Sequence, residues 1–389
     1  MRAIVVGAGA WGLPTATELV RRGHLVTLLD RDGPGNAWSS SSGPTRLWRV
    51  ADPDPAAIRL GRRALAAWQR IEERLARPLR TRSGLLWRDA DAPLRRIADA
   101  VVSEAVDHAE VPAHSVGDIF PGLRPDGRDA LWFPEAGAVL AAQALAGYLQ
   151  LFERDGGQPA FGSAVTSVRT RGEGAVVTLD DGRTMEADVA IVCAGPGTPA
   201  LLPEVGLEVP LRAFLEQVVH VGTPGAPHGA DLLPCLFDGP DERGPGVYAM
   251  PTPGVGYKIG VDHPLRELAP GDLDRTPDPA VSGAILDRAT GIMGTGQRLV
   301  DAHVCCWTDS PDGWFVIDRA GAVVVACGDS GKGFKYSPVI GEVLADLAEG
   351  GDPDLDVAAM SAQRFAGLDP GASWSPTSLG GVVPTSTRE

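Results

Sequence analysis

The chain has 389 residues, 44% of them hydrophobic and 22% charged, enough for a sizeable core and about two domains. Its 35 basic and 50 acidic residues leave a net charge of −15, which argues against nucleic acid or an anionic membrane surface as a partner. Five cysteines, an odd number with no CxxC spacing, argue against a disulfide framework and a zinc site, and no metal is expected.

The first elements are read from "MRAIVVGAGAWG", a short β-branched run that ends in Gly7, Gly9 and Gly12. Helical spacing follows in "LPTATELVRRGH", so the segment reads as strand, tight turn and helix. These glycines and Pro14 interrupt the apolar run too early for an export signal or membrane span, and a cytoplasmic protein is expected. "LVTLLD" is a second strand ending in Asp30. A carboxylate about 20 residues past the glycines suits an adenosine ribose, while the helix N-terminus suits a pyrophosphate. Dinucleotide binding is the reading.

Instead of a regular βαβ continuation, the chain enters "RDGPGNAWSSSSGPTRLWRVADPD", read as a long functional loop. Its Arg46 and Arg49 are three apart, so a helical turn would aim both at one side. Helical patterning returns at "AAIRLGRRALAAWQRIEERLA" and again at "GAVLAAQALAGYLQLFERDGG". Short strands are expected at "AVTSVRT" and "AVVTLDDG", and a buried strand at "DVAIVCAGPGTPALL". Residues 206–311 carry β-like runs, "EQVVHV", "GVYAM" and "GYKIGV", among many Pro and Gly. "AVVVACGDSGKGFKYSPVIGEVLADLAEG" is again strand, glycine loop and helix, and the tail after Ser373 is expected to be poorly ordered. Nucleotide-type segments thus lie at the start, middle and end. The expected class is α/β, with 1–80, 137–205 and 312–389 in one discontinuous domain and 81–136 with 206–311 in a second.

The motifs "GAGAWG" with Asp30, "SSSSGPTRLWR", "YKIGVDH", "HVCCWTDSPDGWFVID" and "GDSGKGFKYSPVIGEVL" together resemble those of the monomeric sarcosine oxidase and N-methyltryptophan oxidase group, covalent flavoprotein amine oxidases of the D-amino-acid-oxidase-like superfamily. The likeness spans nearly the whole chain. It implies a glutathione-reductase-like, Rossmann-type FAD-binding domain with an inserted antiparallel-sheet substrate domain. It also implies an FAD-dependent oxidase of a secondary amino acid, N-methyl or cyclic, that forms an imine and reduces dioxygen to hydrogen peroxide. Two variants stay open: a cyclic imino acid oxidase or desaturase of secondary metabolism, and a dehydrogenase that uses another acceptor. The partners would be a small amino acid and dioxygen, and a monomer is expected.

By the same resemblance Cys305, not Cys306, is bonded through sulfur to the 8-methyl carbon of FAD, because Cys305-Cys306-Trp307-Thr308 fits the Cys-x-aromatic-Thr pattern from its first residue. On residue type alone both cysteines could be small buried apolar groups. Arg46 would lie against the flavin ring, and Arg49 with Lys335 would grip the substrate carboxylate, which suits paired cations. Lys258 would promote reaction with dioxygen, and Tyr248 would be an active-site tyrosine, although an ordinary strand-face lysine fits the local pattern of Lys258 as well. Gly7, Gly9, Gly12, Asp30, Ser40, Ser41, Gly43, Gly331, Lys332 and Gly333 would contact the cofactor. The chain departs from the family's sarcosine-specific pattern at Ser41 and Ser42, Asp262, Trp307 and Lys332. An added cation at Lys332 and anion at Asp262 are expected to recast the pocket around an unchanged carboxylate clamp.

Overall fold

A computed structural model describes residues 1–222, 233–293, 298–353, 355 and 357–368. The tail after Ser373 lies outside the described residues.

Six strands form the first sheet, in the order Val316–Ala320, Val323–Cys327, Val189–Val192, Arg2–Val6, Leu25–Asp30 and Gln158–Phe161. All neighbours are parallel except the outermost pair, Val316–Ala320 with Val323–Cys327. The strands read as continuous apolar runs because both faces are covered. Ala3 and Val5 pack with Leu13, Ala16, Val339 and Val343 from the helices Gly12–Arg21 and Ser337–Ala348. Ile4 and Val6 pack on the other face with Val168, Ala175 and Val177 of a three-stranded sheet, Val165–Arg171, Gly174–Leu179 and Thr184–Ala187. Arg2–Val6 has Leu25–Asp30 on one side and Val189–Val192 on the other, which opens a crevice at its carboxyl end.

The second sheet has nine strands. Along it run Arg266–Glu267, Arg212–Gly222, Gly256–Val261, Val247–Thr252, Cys235–Asp238, Leu85–Arg88, Ala130–Phe133 and Ala109–Val111, while Arg298–Asp309 pairs with Arg212–Gly222. Every pairing is antiparallel except Cys235–Asp238 with Leu85–Arg88.

Three local expectations are corrected. Arg46–Trp48 is a strand, paired with Gly137–Val139, so part of the expected long loop is extended and the third expected helix begins only at Ala141. The backbone there is extended and not a helical turn, yet Arg46 and Arg49 still line one cavity. The β-like region also holds a helix, Pro279–Met293, whose Gly283 and Gly291 weaken its helical signal.

Two packing contacts bear on the site. The helix Pro55–Leu75 starts at Asp54, whose side chain accepts from the Ala56 N–H at 2.8 Å, and has Pro55 in its first turn. This helix carries the fully buried Trp68, whose Nε1 donates to the Lys335 carbonyl at 2.9 Å. The Trp11 Nε1 donates to the Gly333 carbonyl at 3.2 Å, so two indoles tether the 333–335 segment.

The parallel junction of the second sheet is locked by charge. Asp238 stands opposite Arg88, and its carboxylate takes Nε at 2.7 Å and Nη2 at 3.1 Å while both side chains are almost wholly buried. Asp238→Ala should therefore destabilise the fold by about 3–5 kcal/mol, because it takes the bidentate partner from a buried guanidinium that keeps only the Arg124 carbonyl at 2.7 Å and Asp126 at 3.5 Å. A chemical-denaturation midpoint unchanged from that of the unmodified protein would refute the lock.

Candidate active site

A cavity of about 920 Å³ runs from the carboxyl end of the first sheet to the face of the second. That is near the upper end of the roughly 300–1,000 Å³ common for small-ligand sites. One end is built by the glycine turn. Gly7 has φ +102°, and a Cβ there would lie 2.3 Å from the Cys193 carbonyl oxygen; a Cβ on Gly12 would lie 1.9 Å from the Gly7 carbonyl oxygen. Only glycine permits this close passage of strand end and helix start. Gly7 and Gly9 line the cavity, whereas Gly12 and Gly43 do not.

Asp30 also lines this end. Its carboxylate accepts from the N–H groups of Ala8 at 2.7 Å, Asp32 at 2.9 Å and Gly33 at 2.7 Å, which ties the second strand to the glycine turn. A carboxylate has about four acceptor sites, so these three bonds leave one open. Ser41 Oγ accepts from the Ala10 N–H at 2.8 Å, and Ser40 Oγ sits 3.4 Å from Cys306 Sγ. Arg46 bonds the carbonyls of Thr45 at 2.9 Å and Ser40 at 3.0 Å and lies over the Phe334 ring, which shapes the turn as well as the wall.

At the other end the structure brings Arg49 and Lys335 together, with an acid that sequence reasoning missed. Asp52 Oδ2 is 2.9 Å from Arg49 Nη1 and 3.5 Å from Lys335 Nζ. Burial pushes the Asp52 carboxyl up, but Arg49, Lys335 and Lys332 together hold it below the usual carboxylate range. Burial, then repulsion from Arg49, lowers Lys335 to about 7. Arg49 also stacks on Trp87, with 4.6 Å from its guanidinium carbon to the ring centroid. Gly331, Lys332 and Gly333 line the same end, and Lys332 lies over the Trp314 ring. Asp52 stands three residues from Arg49, and that spacing is the one signal that pointed to it.

The third wall comes from the second sheet. Lys258, 3% exposed, donates to the Thr45 carbonyl at 3.2 Å. Burial, then Arg46, lowers its pKa to about 8. Tyr248 donates to the carboxyl of Glu216, a buried acid on Arg212–Gly222 that the sequence reading passed over at the head of "EQVVHV". Burial pushes Glu216 up to about 7, against the pull of Tyr248 and Lys258. Cys305 and Cys306 both line the cavity, and burial raises both thiols, Cys305 to about 11. Asp262 does not line the cavity; it is close enough to raise Glu216 further, so the added acid on the wall is Glu216. Two imidazoles, the buried His220 and the half-buried His303, stand near Lys258 unforeseen. His220 stands opposite it across the strand pair, and both His220 and His303 are lowered to about 4 by burial and then by the Lys258 charge.

Residues 2–347 match the family described as FAD dependent oxidoreductase. The chain is 29% identical over 378 residues to a monomeric sarcosine oxidase of Streptomyces avermitilis, covering 93% of this chain and 97% of that one. It is 27% identical to an N-methyl-L-tryptophan oxidase of Citrobacter koseri, covering 93% and 98%. Among solved structures it is similar to NikD, described as an unusual amino acid oxidase essential for nikkomycin biosynthesis, with a TM-score of 0.81, 23% identity and coverage of 92% and 96%. With the glycine turn, Asp30 and a match over almost the whole described length, the chain belongs to the FAD dependent oxidoreductase family.

Proposed function

We propose that the protein is an FAD-dependent oxidase of a secondary amino acid, N-methyl or cyclic, that oxidises a C–N bond to an imine and yields hydrogen peroxide. The observation that carries this reading is the convergence of buried Arg49 and Lys335 in the cavity whose far end is the glycine turn. The names of the two enzyme relatives agree with it. The residues present fit FAD. Gly7 and Gly9 line the cavity beside the N-terminus of the first helix, which suits a pyrophosphate, the open acceptor site of Asp30 suits a ribose hydroxyl, and Ser40, Ser41 and Arg46 line the passage between the sheets. Bound FAD supplies a two-electron acceptor that dioxygen can reoxidise.

The chain's own residues then divide the work. Arg49 and Lys335 bind and orient the substrate carboxylate, with Asp52 holding the two cations apart in its absence. Tyr248 and Glu216 face the same space; the Glu216 carboxyl can exchange a proton near neutrality, while the Tyr248 hydroxyl, whose ionisation burial makes harder still, stays protonated and donates to it. Lys258 keeps a positive charge in a buried wall, where it favours the negative charge that develops as dioxygen is reduced. Cys305 anchors the flavin covalently; Cys306 does not.

Peroxide release from a panel of N-methyl and cyclic amino acids tests the activity, and its absence in air with every member would favour a dehydrogenase. In Arg49→Ala and Lys335→Ala, simple carboxylate inhibitors should bind roughly tenfold to hundredfold more weakly, the loss of about 1.5–3 kcal/mol for a charge-assisted contact. Equal inhibition constants in the variants and the unmodified protein would show that the substrate enters by another handle.

Flavin should stay with the protein through acid precipitation. Cys305→Ala should release it and Cys306→Ala should not; the opposite pattern would move the anchor by one residue.

Reoxidation of the reduced protein, followed by stopped flow, should slow as pH rises through about 8, because Lys258 is charged below that value and neutral above it. Lys258→Met should abolish this dependence and slow reoxidation by about a hundredfold to a thousandfold, or 2.7–4 kcal/mol. Anaerobic reduction by substrate should change much less. Unaltered reoxidation in the variant would return Lys258 to the rank of a strand lysine.

A further inference from the structure

The strand pair that carries Cys305 also sets an acid against it. Glu216 of Arg212–Gly222 stands directly opposite Cys305 of Arg298–Asp309, while Leu215 stands opposite Cys306. Directly opposed residues of an antiparallel pair carry their Cβ atoms roughly 4.5–5.5 Å apart on one face of the sheet, within reach of a proton transfer between their side chains. Both Glu216 and Cys305 are buried, and both line the cavity. Cys306 also borders the cavity but from the opposite face of the strand, away from Glu216: it packs with Leu215 and Val304, and its sulfur lies 3.4 Å from Ser40 Oγ and 3.3 Å from the Trp38 carbonyl.

We propose that Glu216 is the base that takes the proton of the Cys305 thiol as the flavin becomes covalently attached, an assignment that rests on Cys305 being the anchor. Attachment needs sulfur as a nucleophile, and the nucleophilic form is the thiolate. Burial works against it, since the thiol is pushed up to about 11, where almost none is ionised near neutrality. A carboxylate in reach removes that obstacle without solvent. While the proton passes from sulfur to carboxylate the Glu216–Cys305 pair keeps one negative charge and one proton, and only their places exchange. The groups that face the pair suit this. Tyr248, on Val247–Thr252, fixes the carboxyl by donating to it; Lys258, on Gly256–Val261, and Arg46, on Arg46–Trp48, place positive charge near the sulfur; Asp262 raises the basicity of Glu216.

The step balances as follows. The S–H bond of Cys305 and one C–H bond of the flavin 8-methyl group break, and a carbon–sulfur bond forms. The electron pair and two protons, one of them relayed by Glu216, end on the flavin ring. Dioxygen then takes up both electrons and both protons as hydrogen peroxide and restores the oxidised, attached flavin.

The experiment uses the full chain produced under riboflavin limitation, with FAD added and acid-stable flavin followed in time. Glu216→Gln keeps the size of the side chain and an acceptor for Tyr248, yet should attach flavin a hundredfold more slowly or worse, within the range for loss of a general base. It should still bind FAD reversibly, as read by quenching of flavin fluorescence. Glu216→Asp, which retains a carboxyl at shorter reach, should fall between. In the unmodified protein the attachment rate should rise through about pH 7, where Glu216 loses its proton, and then level off. Attachment at the unmodified rate in Glu216→Gln overturns the proposal. If that variant does not bind FAD, the pH profile decides: a rate that climbs without a break towards pH 11 means that the thiol ionises unaided and also overturns it. These outcomes differ from failure of the underlying reading, in which acid frees the flavin from the unmodified protein and the proposal falls with it.

Discussion

Uncompensated positive charge in a buried wall is the constraint around which this structure is arranged. Arg49, Lys258 and Lys335 are each at most 6% exposed, and Arg46 lies beside them half-buried. An effective desolvation penalty of several kcal/mol per ion must be met by nearby opposite charge or by hydrogen bonds. Asp52 and Glu216 are the two buried carboxylates within this group, and Glu216 is itself protonated part of the time near neutrality. The deficit shows in the lysines, both of which give up their protons more easily than a lysine in water. A site in this condition is stabilised by any anion that enters it. The scaffold resists the obvious escape, which is for the cations to swing out to solvent. Trp68 and Trp11 tether the backbone that carries Lys335, and Trp87 lies under Arg49.

The chain's path explains why such a site can form at all. The first sheet takes strands from the beginning, middle and end of the sequence, and the second takes strands from the two stretches between. The crossings between Asp30 and Leu85 and between Val192 and Arg212 deliver residues to the cavity. Arg46 and Arg49 arrive on the way out from Asp30, and Lys332 and Lys335 come from the glycine loop between Val323–Cys327 and the helix Ser337–Ala348. The parallel contact between Leu85–Arg88 and Cys235–Asp238 joins the two inserted stretches into one sheet, with the Arg88–Asp238 pair marking the seam.

How much of this was legible in the sequence depended on the range of the interaction. The glycine turn and Asp30 lie within one βαβ unit, and their spacing is a local backbone requirement, so they were readable. Lys258 was readable as a strand residue, but its local pattern did not decide between a buried and a solvated lysine; Tyr248 was reached through the family resemblance alone. Arg46 and Arg49 were found and both line the cavity, but the backbone that carries Arg46 was misjudged: Arg46–Trp48 is a strand because Gly137–Val139 lies beside it, and no local signal announces a partner so far along the chain. Glu216 and the imidazoles of His220 and His303 were missed for a similar reason. A polar residue in an apolar strand reads as solvent-facing until the sheet order shows what covers that face. The helix Pro279–Met293 was hidden by composition, since its two glycines and β-branched residues depress helical propensity that burial against the second sheet restores.

The strand Arg298–Asp309 holds a further consequence. Its outer end is exposed and its inner end buried, and the ladder with Arg212–Gly222 slips between His220 and Val221. Adjacent cysteines make register critical here, because a shift of one residue would turn Cys306 to the face now held by Cys305. The irregularity divides the strand into two lengths of unequal tolerance. On the surface side, an added or deleted residue before Arg298 can be taken up at the slip, as an unpaired residue in a bulge. On the cavity side, the uninterrupted pairing from Asp301 to Asp309 leaves no such play. Variation in chain length among relatives should therefore be confined to one side of this point.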